Sequence, residues 1–456
     1  MFERGNLFLS FFFVLVAIPC LFLNAFLLAP FQGADEINHF ARAEQVASGC
    51  IVGQRIDQKI AGGYVSKSLL NASKVVEHIP FHVENKLTSD IILELRQLKI
   101  QSEQVFYGFG NTVINAPIFY LPSSLGIGFS KFIDTSILNT LLISRILNGL
   151  ICIALSSMAL YVVRFGKHIM FSILTLPMSL GLFGVVSPDG LIFACTALIV
   201  ALITRIEDYK SSSEKGCLLA LLVILLSSVV ATKIAYLPLI FLFFVPSVYH
   251  HIGLRGALIC TSATLFVEFL WFVFGILPVS VPLFHDGYVI SAKDQLYHII
   301  SNPLSNFSLI FNTLLTLGGF YIQSFIGILG CLDAYLKPQA YVYYEIYLAL
   351  SILFDFLFEK KGEPRRGDAL FVILIFLATF FCIEYALYLA WSPVGGSIIE
   401  GVQGRYFIPM MLLLALILPN LQLRKEITPV WSKLLYILSL PVIFVLPYAL
   451  FSRYFG

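Results

Sequence analysis

Apolar runs of membrane-spanning length alternate with shorter polar segments along this 456-residue chain. An α-helix needs about 20 predominantly apolar residues to cross a bilayer, and most of these runs come close to that length. The predicted spans fall near residues 7–28, 139–163, 169–186, 190–204, 216–231, 234–249, 256–277, 340–358, 368–391, 406–420 and 434–454. The pattern predicts an all-α integral membrane protein with about 11 transmembrane helices (11–13), which form a single polytopic domain over residues 1–456.

Two other apolar stretches are interrupted, and we expect neither to cross the membrane. Residues 113–131 contain Pro117, Pro122 and two glycines, and residues 307–331 are rich in glycine. Irregular backbone at membrane depth is tolerated only where protein or water covers it, so both stretches suit interfacial or re-entrant helices. The first run, 7–28, is long enough to span, and no small-residue cleavage site follows it. We therefore interpret it as a retained span and not as a signal peptide.

The distribution of Lys and Arg predicts the orientation of the chain. With this layout the segments assigned to the cytoplasm, together with the N-terminus, hold about 14 Lys and Arg, and the short outer segments hold about 5. If residues 113–131 crossed, the basic segments 164–168 and 359–368 would tend to fall on the outer face. We therefore expect a cytoplasmic N-terminus.

Two long segments then face the outside, residues 31–138 and residues 278–339. Residues 31–112 of the first carry about 17 charged residues of both signs, which is typical of a folded segment and not of a charged tail. The helical periodicity of residues 86–104 indicates helices that lie on the membrane surface. The second segment contains the stretch that we expect to be re-entrant.

Composition excludes several functional classes. The chain is 58% hydrophobic and 12% charged, about half the charged fraction of a soluble domain. Its net charge of +2, without a basic tract, indicates no nucleic-acid partner. The 8 cysteines form no CxxC pair, and most lie in apolar runs where Cys is a small hydrophobe, so neither a disulfide framework nor a zinc site is predicted.

The stretch GADEINHFARAEQVASG at residues 33–49 follows the first span directly and has the richest chemistry. A helix from Asp35 would bring Asp35, His39 and Arg42 onto one face, with Glu36 beside them. Adjacent carboxylates are costly to desolvate where the chain leaves a membrane, so we expect them to face water or a charged ligand. The alternative is an ordinary polar helix start with Asp35 as its N-cap.

Further polar residues interrupt the spans, and the predicted topology brings nearly all of them to the outer face. These residues are Arg145, Asp189, Lys233, Asp333, Gln403 and Arg405. Charged residues near lipid are rare unless they serve function, so their gathering at one face indicates a site. The alternative is that helix ends are simply polar, and Asp189 after Ser187-Pro188 is also good N-cap chemistry.

The order of these parts resembles the GT-C superfamily of polyprenyl-phosphate-sugar-dependent glycosyltransferases. Within it, the chain is similar to a bacterial family of multi-span proteins that carries only a "domain of unknown function" label. The matching stretches are ADEINHFARAEQVASG (34–49), NAPIFYLPSSLGI (115–127), SRILN (144–148), LPMSLGLFGVVSPDG (176–190), TKIAYLPL (232–239), FIGILGCLDAYL (325–336) and GVQGRYFIP (401–409). Many relatives have a proline just before the acidic pair, where this chain has Gly33-Ala34.

The resemblance implies an inverting transfer of a sugar from a polyprenyl-phosphate donor to a glycan acceptor. The transfer would occur at the extracytoplasmic face of a bacterial plasma membrane. A carboxylate in the first outer loop would be the general base, with Asp35 the first choice and Glu36 the second. The leaving group is an anionic lipid phosphate, for which Arg405 is the best partner and Lys233 the second. Candidate substrate-binding residues are His39, Arg42, Arg145, Asp189, Gln403 and Tyr406.

The sequence indicates no specific metal site. His78 and His82 are too loosely placed to define one, although some GT-C enzymes use a divalent ion. Three other readings compete with the glycosyltransferase. A lipid or polysaccharide transporter or flippase would carry ionisable residues near span centres. A polysaccharide polymerase or ligase would have its large catalytic loop late in the chain. A structural membrane protein would need no catalytic carboxylate.

Overall fold

The chain folds mainly into helices, as the apolar pattern predicts. The computed structural model describes residues 4–101, 103–283, 290–358, 367–417 and 429–456. The predicted cytoplasmic segments 359–368 and 423–433 therefore lie largely outside the described residues. Within the described residues the general expectation of a helical membrane protein is confirmed, and two small antiparallel sheets are also present.

The α-helices, in chain order, are α1 (Arg4–Leu27), α2 (Glu36–Ala47), α3 (Lys67–Val76), α4 (Ser89–Gln97), α5 (Gly110–Val113), α6 (Leu121–Phe132), α7 (Ile137–Val162), α8 (Lys167–Leu174), α9 (Pro177–Phe183), α10 (Asp189–Thr204), α11 (Ser212–Thr232), α12 (Pro246–Trp271), α13 (Ala292–Ser301), α14 (Ser305–Ile326), α15 (Pro338–Phe358), α16 (Asp368–Ala390), α17 (Ile408–Met411), α18 (Leu414–Ile417), α19 (Pro429–Ile437) and α20 (Val442–Tyr454). Short 3₁₀ helices cover Pro117–Tyr120, Ile206–Asp208, Ile234–Phe244 and Gly404–Phe407, and a π-helix, Phe272–Ile276, extends α12.

Eight helical segments in the described residues are long and apolar enough to cross a membrane. These segments are Asn6–Leu27, Ile137–Val162, Ser212–Thr232, Pro246–Ile276, Ser305–Ile326, Pro338–Phe358, Asp368–Ala390 and Trp431–Tyr454. Three shorter apolar segments accompany them: Asp189–Thr204, Ile234–Phe244 and Gly404–Ile417. Seven of the predicted spans therefore have a long helical counterpart, and the remaining ones are shorter or broken.

The span predicted at residues 169–186 is wrong as a single helix, because the chain breaks between α8 and α9. Pro177 begins α9, and Leu176 before it is extended with ψ of 147°. A proline disfavours the helical conformation of the residue that precedes it, which explains the break. The helix α10 that follows has only 16 residues, and every one of them is buried. It lies inside the bundle against α7, α9 and α11.

The predicted span 234–249 begins as a 3₁₀ helix, Ile234–Phe244, with Pro238 inside it. A 3₁₀ helix rises about 2.0 Å per residue, so these residues extend over roughly 22 Å. That length is more than an α-helix of the same residues would reach. The segment packs against α11, α12 and α16.

The first polar segment contains a sheet that the sequence analysis did not predict. Strands β1 (Gln54–Arg55), β2 (Ala61–Ser66) and β3 (Gln104–Gly108) form an antiparallel sheet with β2 in the middle. The predicted surface helix within 86–104 is present as α4, and the end of that stretch belongs to β3. The sheet packs on α2, the helix of the acidic stretch, through β2.

One end of the bundle carries this first segment. Trp271, where α12 ends, donates from Nε1 to the Ile114 carbonyl at 3.0 Å. Arg453, near the end of α20, donates from Nη2 to the Ile79 carbonyl at 2.7 Å. The ends of α12 and α20 are therefore at the same face of the molecule as residues 31–138.

The connections at the other end contact one another. Asn6 at the start of α1 donates to the Val163 carbonyl after α7 at 2.6 Å. The Ser247 amide at the start of α12 donates to Asp368 at the start of α16 at 2.8 Å. These contacts and those of the first segment therefore form two separate sets, one at each end of the bundle.

The helix α14 replaces the interrupted stretch predicted at 307–331. It is a continuous 22-residue helix, so its length alone would let it cross. Its contacts, however, are with the end of the bundle that carries the first segment. The Ile399 amide, in the connection after α16, donates to Thr313 at 2.9 Å, and the Cys331 Sγ lies 3.7 Å from the Gly33 carbonyl. The middle of α14 and the turn after it therefore contact segments at this end of the bundle, and the expectation that the stretch does not cross stays a prediction.

Candidate active site

Asp35 lies at the start of α2 with its backbone in the left-handed region, at φ of 55°. Its carbonyl accepts hydrogen bonds from the amides of Asn38 and His39, each at 3.0 Å. Its carboxylate makes no capping hydrogen bond to the helix, and 47% of the side chain is exposed. The alternative interpretation, a carboxylate engaged as an N-cap, is therefore wrong for the side chain. Left-handed backbone costs a non-glycine residue of order 1–3 kcal/mol and is concentrated at functional sites.

Two groups contact the Asp35 carboxylate from different elements. The Asn111 amide, at the start of α5, donates to Asp35 Oδ1 at 3.3 Å. Arg405 Nη2, in the 3₁₀ helix Gly404–Phe407, lies 3.7 Å from Asp35 Oδ2. Since both distances are long, these contacts leave the carboxylate accessible to a further donor.

Glu36, the neighbouring carboxylate, is fully buried and has no such freedom. Arg145 from α7 donates to both of its oxygens, at 2.8 and 2.5 Å. The amides of Val186 and Gly33 donate to the same two oxygens at 3.0 and 3.1 Å. With its acceptor positions occupied, Glu36 has no oxygen accessible to a further donor.

Arg145 joins this pair to the end of the first helix. Its Nη1 donates to the carbonyls of Ala25 and Leu28 at 3.0 and 2.8 Å, and its Nη2 donates to the Ala29 carbonyl at 3.0 Å. The last carbonyls of a helix have no partner within the helix. A guanidinium at this position donates hydrogen bonds to them, and its positive charge is attracted to the negative end of the helix dipole. Arg145 therefore fixes the turn that leads to Asp35, and it does not reach an exposed surface.

A cluster of opposite charges adjoins Asp35. Lys233 Nζ lies 2.5 Å from Asp189 Oδ1, and Arg405 Nε lies 3.5 Å from Asp189 Oδ2. The Tyr406 ring lies beside both cations, 4.6 Å from Lys233 Nζ and 5.2 Å from the Arg405 guanidinium carbon. Asp189, Lys233 and the adjacent pair Arg405-Tyr406 thus meet as the predicted topology requires. Along the chain, 44 residues separate Asp189 from Lys233 and 172 separate Lys233 from Arg405.

The two cations of the cluster differ in access. The Arg405 side chain is 3% exposed, and the Lys233 side chain is 24% exposed. Among the described residues, Arg405 Nε has no hydrogen-bond partner, and neither does the Gln403 side-chain oxygen nearby in sequence. An anion that approaches from outside would therefore meet Lys233 first and Arg405 after it.

A glycine lets the Arg405 segment approach its neighbour closely. A Cβ at Gly404 would lie 1.9 Å from the Tyr321 carbonyl oxygen and 2.4 Å from the Phe325 nitrogen, so only glycine fits against α14. The Gly404 amide donates to Ser324 at 2.8 Å. This contact fixes the depth at which Arg405 enters the cluster.

His39 and Arg42 are buried behind Asp35, where they hold the first loop together. His39 Nδ1 lies 2.8 Å from the Tyr120 hydroxyl. Burial lowers the pKa of His39 to about 4; the carboxylates of Asp35 and Asp189 oppose this effect, and nearby cations add to it. Arg42 donates to the carbonyls of Ile51 and Asn115 at 2.7 and 3.1 Å. Both are positioning residues in this arrangement.

Asp333 belongs to a separate pair. Arg453 donates to its Oδ2 from Nη2 at 2.7 Å and from Nε at 3.0 Å, which ties the C-terminal helix to the second segment. His82 lies 3.2 Å from Glu84 on the surface. No group of three His, Cys, Asp or Glu side chains that could hold a metal ion is found in the described ranges.

Sequence reasoning did not single out Asn38, Asn111, Tyr120 or Trp391. Asn38 donates to Asn111 Oδ1 at 3.0 Å, and Asn115 donates to the Tyr120 hydroxyl at 3.0 Å. Tyr120 belongs to the stretch NAPIFYLP that was noted, but Asn111 and Trp391 carry no signal beyond their residue type. The contacts of a side-chain amide in a polar loop depend on the tertiary structure, so the sequence does not indicate them.

An apolar groove of about 630 Å³ lies near the charged cluster, between α14, α15 and α16. It is lined mainly by aliphatic and aromatic side chains, including Tyr321, Phe325 and Phe407. Phe407 follows Arg405 by two residues, so the segment that carries the guanidinium also forms a wall of the groove. The site thus combines an exposed carboxylate that can accept a proton, cations that can bind an anion, and an adjoining apolar groove.

The comparisons with known proteins identify a family. The family model described as "Predicted membrane protein (DUF2142)" matches residues 19–414, a range that includes Asp35, Asp189, Lys233 and Arg405. No curated protein and no solved structure matches the chain. The matched range is most of the chain and begins within α1. The chain therefore belongs to the DUF2142 family of predicted membrane proteins, whose label denotes a domain of unknown function.

Proposed function

We propose that the protein is a membrane glycosyltransferase of the GT-C type. It moves a sugar from a polyprenyl-phosphate donor to a cell-envelope glycan such as O-antigen or teichoic acid. The reaction takes place at the extracytoplasmic face of a bacterial plasma membrane, which the chain crosses about 11 times. The observation that carries this proposal is the half-exposed carboxylate of Asp35, held in left-handed backbone 3.7 Å from Arg405.

Asp35 acts as the general base of the transfer. It takes the proton from an acceptor hydroxyl while the hydroxyl oxygen attacks the anomeric carbon of the donor sugar. The bond from that carbon to the phosphate oxygen breaks, and the polyprenyl phosphate leaves with the electron pair. The proton on Asp35 then passes to water. Attack opposite the leaving group inverts the anomeric configuration.

The cation cluster stabilises the leaving phosphate. This group is already anionic, so it needs positive charge and not a general acid. Lys233 is the more exposed cation and meets the phosphate first; Arg405 then exchanges its long contact with Asp35 for the phosphate oxygens.

The apolar groove supports a lipid-linked donor. Its 630 Å³ volume and its aliphatic and aromatic lining suit part of an isoprenoid chain, and Phe407 joins it to the Arg405 segment.

The test is sugar transfer by the purified protein in detergent from a panel of radiolabelled polyprenyl-phosphate sugars, with membrane glycan as acceptor. We expect transfer by the wild type and a loss of about 10²- to 10⁴-fold in Asp35→Asn, because the amide cannot accept the proton. Donor binding, measured by co-sedimentation with donor-containing vesicles, should be retained in the variant.

Glu103→Gln is the matched control for this experiment. Glu103 is also a carboxylate of the first loop, but it is 68% exposed and pairs only with Lys67 on the surface. Equal activity of Asp35→Asn and wild type would rule out Asp35 as the base. Absence of both transfer and binding with every donor would contradict the glycosyltransferase as a whole.

A transporter or flippase is the second candidate, because two carboxylates are buried within membrane-length helices. Glu268 in α12 and Glu384 in α16 each have one oxygen without a hydrogen-bond partner among the described residues. Intramembrane carboxylates of this kind serve as relays in transporters. Transport of labelled lipid in proteoliposomes that is lost in Glu384→Gln but unchanged in Asp35→Asn would favour this candidate.

A further inference from the structure

A second cavity adjoins Asp35, and neither the base nor the cation cluster uses it. This cleft has a volume of about 320 Å³ and lies between the first segment and the connection after α16. Its polar and aromatic lining residues are Asn38, Lys59, Phe109, Asn111 and Trp391, and residues 281–283 form an apolar wall. Cavities of 300 to 1,000 Å³ with a few convergent polar groups are the usual form of small-ligand sites.

The amides of the cleft are organised in a chain of hydrogen bonds. The Tyr107 hydroxyl donates to Asn38 Oδ1 at 3.3 Å, Asn38 donates to Asn111 Oδ1 at 3.0 Å, and Asn111 donates to Asp35 Oδ1 at 3.3 Å. Each amide has two donors and an acceptor with two lone pairs, so both side chains keep capacity for a ligand. Such groups recognise hydroxyls without selecting for charge.

The indole of Trp391 supplies an apolar face beside these amides. Gly401 lies directly against it, because a Cβ at position 401 would be 2.5 Å from Trp391 Cδ1 and 3.1 Å from Nε1. Gly401 also has φ of +83°, which disfavours any other residue. The same stretch, GVQGRYFIP, therefore positions both the indole of the cleft and the Arg405 guanidinium.

Charge narrows the class of ligand. Among the lining residues that the structure describes, Lys59 is the charged one, and the carboxylate of Asp35 adjoins the cleft through Asn111. A strongly anionic ligand would find a single exposed cation there. A neutral, hydroxyl-rich ligand fits better, since its hydroxyls can bond to the amides and its C–H face can cover the indole.

The cleft and the cations contact different oxygens of Asp35. Oδ1 faces Asn111 of the cleft, and Oδ2 faces Arg405 of the cluster. A hydroxyl that enters from the cleft would reach the carboxylate from one side while an anion remains on the other. This arrangement suits a two-substrate transfer with the base between the substrates.

We propose that this cleft binds the acceptor as a neutral oligosaccharide, with a sugar ring on Trp391 and a hydroxyl directed by Asn111 toward Asp35. The acceptor role rests on the proposed function. The binding of a neutral sugar does not, and it can be measured without any donor.

The test is binding of the full-length protein in detergent to an array of neutral, acidic and phosphorylated oligosaccharides. We expect the wild type to bind neutral members, Trp391→Ala to lose about tenfold or more in affinity, and Trp391→Phe to retain most of it. Trp431→Ala is the matched control, because Trp431 is 59% exposed and lies on α19 near the other end of the bundle. Each variant is first compared with wild type in its melting temperature.

The outcomes separate this proposal from the glycosyltransferase itself. Wild-type protein that binds no neutral oligosaccharide, or a Trp391→Ala variant that binds as well as wild type, would overturn the acceptor cleft even if sugar transfer were observed. If binding depends on Trp391 but the protein has no transferase activity, the carbohydrate site would be supported and the proposed glycosyl transfer would be contradicted. Binding confined to phosphorylated members would also overturn the proposal.

Discussion

Two adjacent carboxylates of the first segment have opposite environments. Glu36 is the first residue of α2 and points into the protein, where Arg145 and two backbone amides occupy its oxygens. Asp35 is left-handed and half-exposed. The costly desolvation of Glu36 is offset by a bidentate partner, whereas Asp35 keeps its access to water and to ligands. At the residue scale, the Glu36 carboxylate holds the turn in place, and the Asp35 carboxylate stays accessible to water and to ligands.

This division predicts a contrast in stability. Glu36→Gln should destabilise the protein by about 3–5 kcal/mol, because Arg145 is left buried without its counter-charge. The measurement is the melting temperature of purified protein in detergent. Glu103→Gln, which breaks an exposed pair with Lys67, should change it little. A melting temperature for Glu36→Gln equal to that of the control would contradict the assigned role.

His39 predicts a dependence of stability on pH. Burial lowers its pKa to about 4, while the unfolded chain titrates near the ordinary value of 6.5. Between pH 4 and pH 6.5 the unfolded state binds a proton at His39 that the folded state does not bind. The contribution of His39 to stability is therefore complete above pH 6.5 and is lost as the pH falls toward 4. We expect the melting temperature of wild type to fall over that range, and His39→Gln to fall less steeply.

The control for this pH series is His82→Gln, since His82 is a surface histidine 61% exposed. Its profile should follow that of the wild type. The role of His39 would be refuted by His39→Gln and wild-type curves that run parallel from pH 7 to pH 4.5.

At the scale of elements, the site depends on segments that are not regular membrane helices. The first loop contributes α2 and α5, and the 3₁₀ helix Gly404–Phe407 contributes Arg405. The latter packs on α14 with a backbone contact that admits no side chain at Gly404. A short segment of this kind is held in place only by its contacts with neighbouring helices. The position of α14 therefore determines where Arg405 lies.

A pair of glycine substitutions tests this dependence. Gly404→Ala would set a Cβ 1.9 Å from the Tyr321 carbonyl, so the segment must shift and both stability and transferase activity should fall. Gly128→Ala, in α6, meets no atom within 4 Å and should stabilise the protein by about 0.5–1 kcal/mol through helix propensity. The measurements are melting temperature and sugar transfer. Full activity in Gly404→Ala would show that the contact is dispensable.

At the scale of the whole molecule, the bundle separates two sets of connections. The site, the cleft and the first segment lie at one end, and the contacts among Asn6, Val163, Ser247 and Asp368 lie at the other. The positive charges of the sequence predict that the site end is extracytoplasmic. The donor phosphate and the acceptor would then meet outside the cytoplasm.

Labelling of single cysteines tests this orientation. In a variant with the native cysteines replaced, Lys74→Cys lies on exposed α3 of the first segment, and Ser213→Cys lies at the start of α11. A membrane-impermeant maleimide added to intact spheroplasts should label Lys74→Cys, and it should label Ser213→Cys only after the membrane is opened. The reverse pattern would invert the topology, and labelling of both in intact spheroplasts would contradict a two-faced bundle.

What the sequence determined by itself was the class of protein and much of its layout. Apolar runs of bilayer length must be helical, because lipid leaves backbone groups no other partner, and the matches at α1, α7, α11 and α16 follow from that constraint. The order of spans and the positive-inside rule are also enough to group Asp35, Asp189, Lys233 and Arg405 at one face. The same reasoning could not foresee the break at Pro177 as a division of one span, although the proline itself was visible.

Only the tertiary structure decided what each polar residue does. The sequence predicts that Asp35 and Glu36 both face water or a charged ligand, but a left-handed backbone at Asp35 turns their side chains to different sides and Glu36 is buried. The partner of Glu36 is Arg145, more than one hundred residues away, and Asn111 and Trp391 come to line one cleft with Asn38 of α2 only in the folded protein. Periodicity reports the surroundings averaged along an element, whereas a site is made of contacts between elements, and these depend on packing that no local pattern contains.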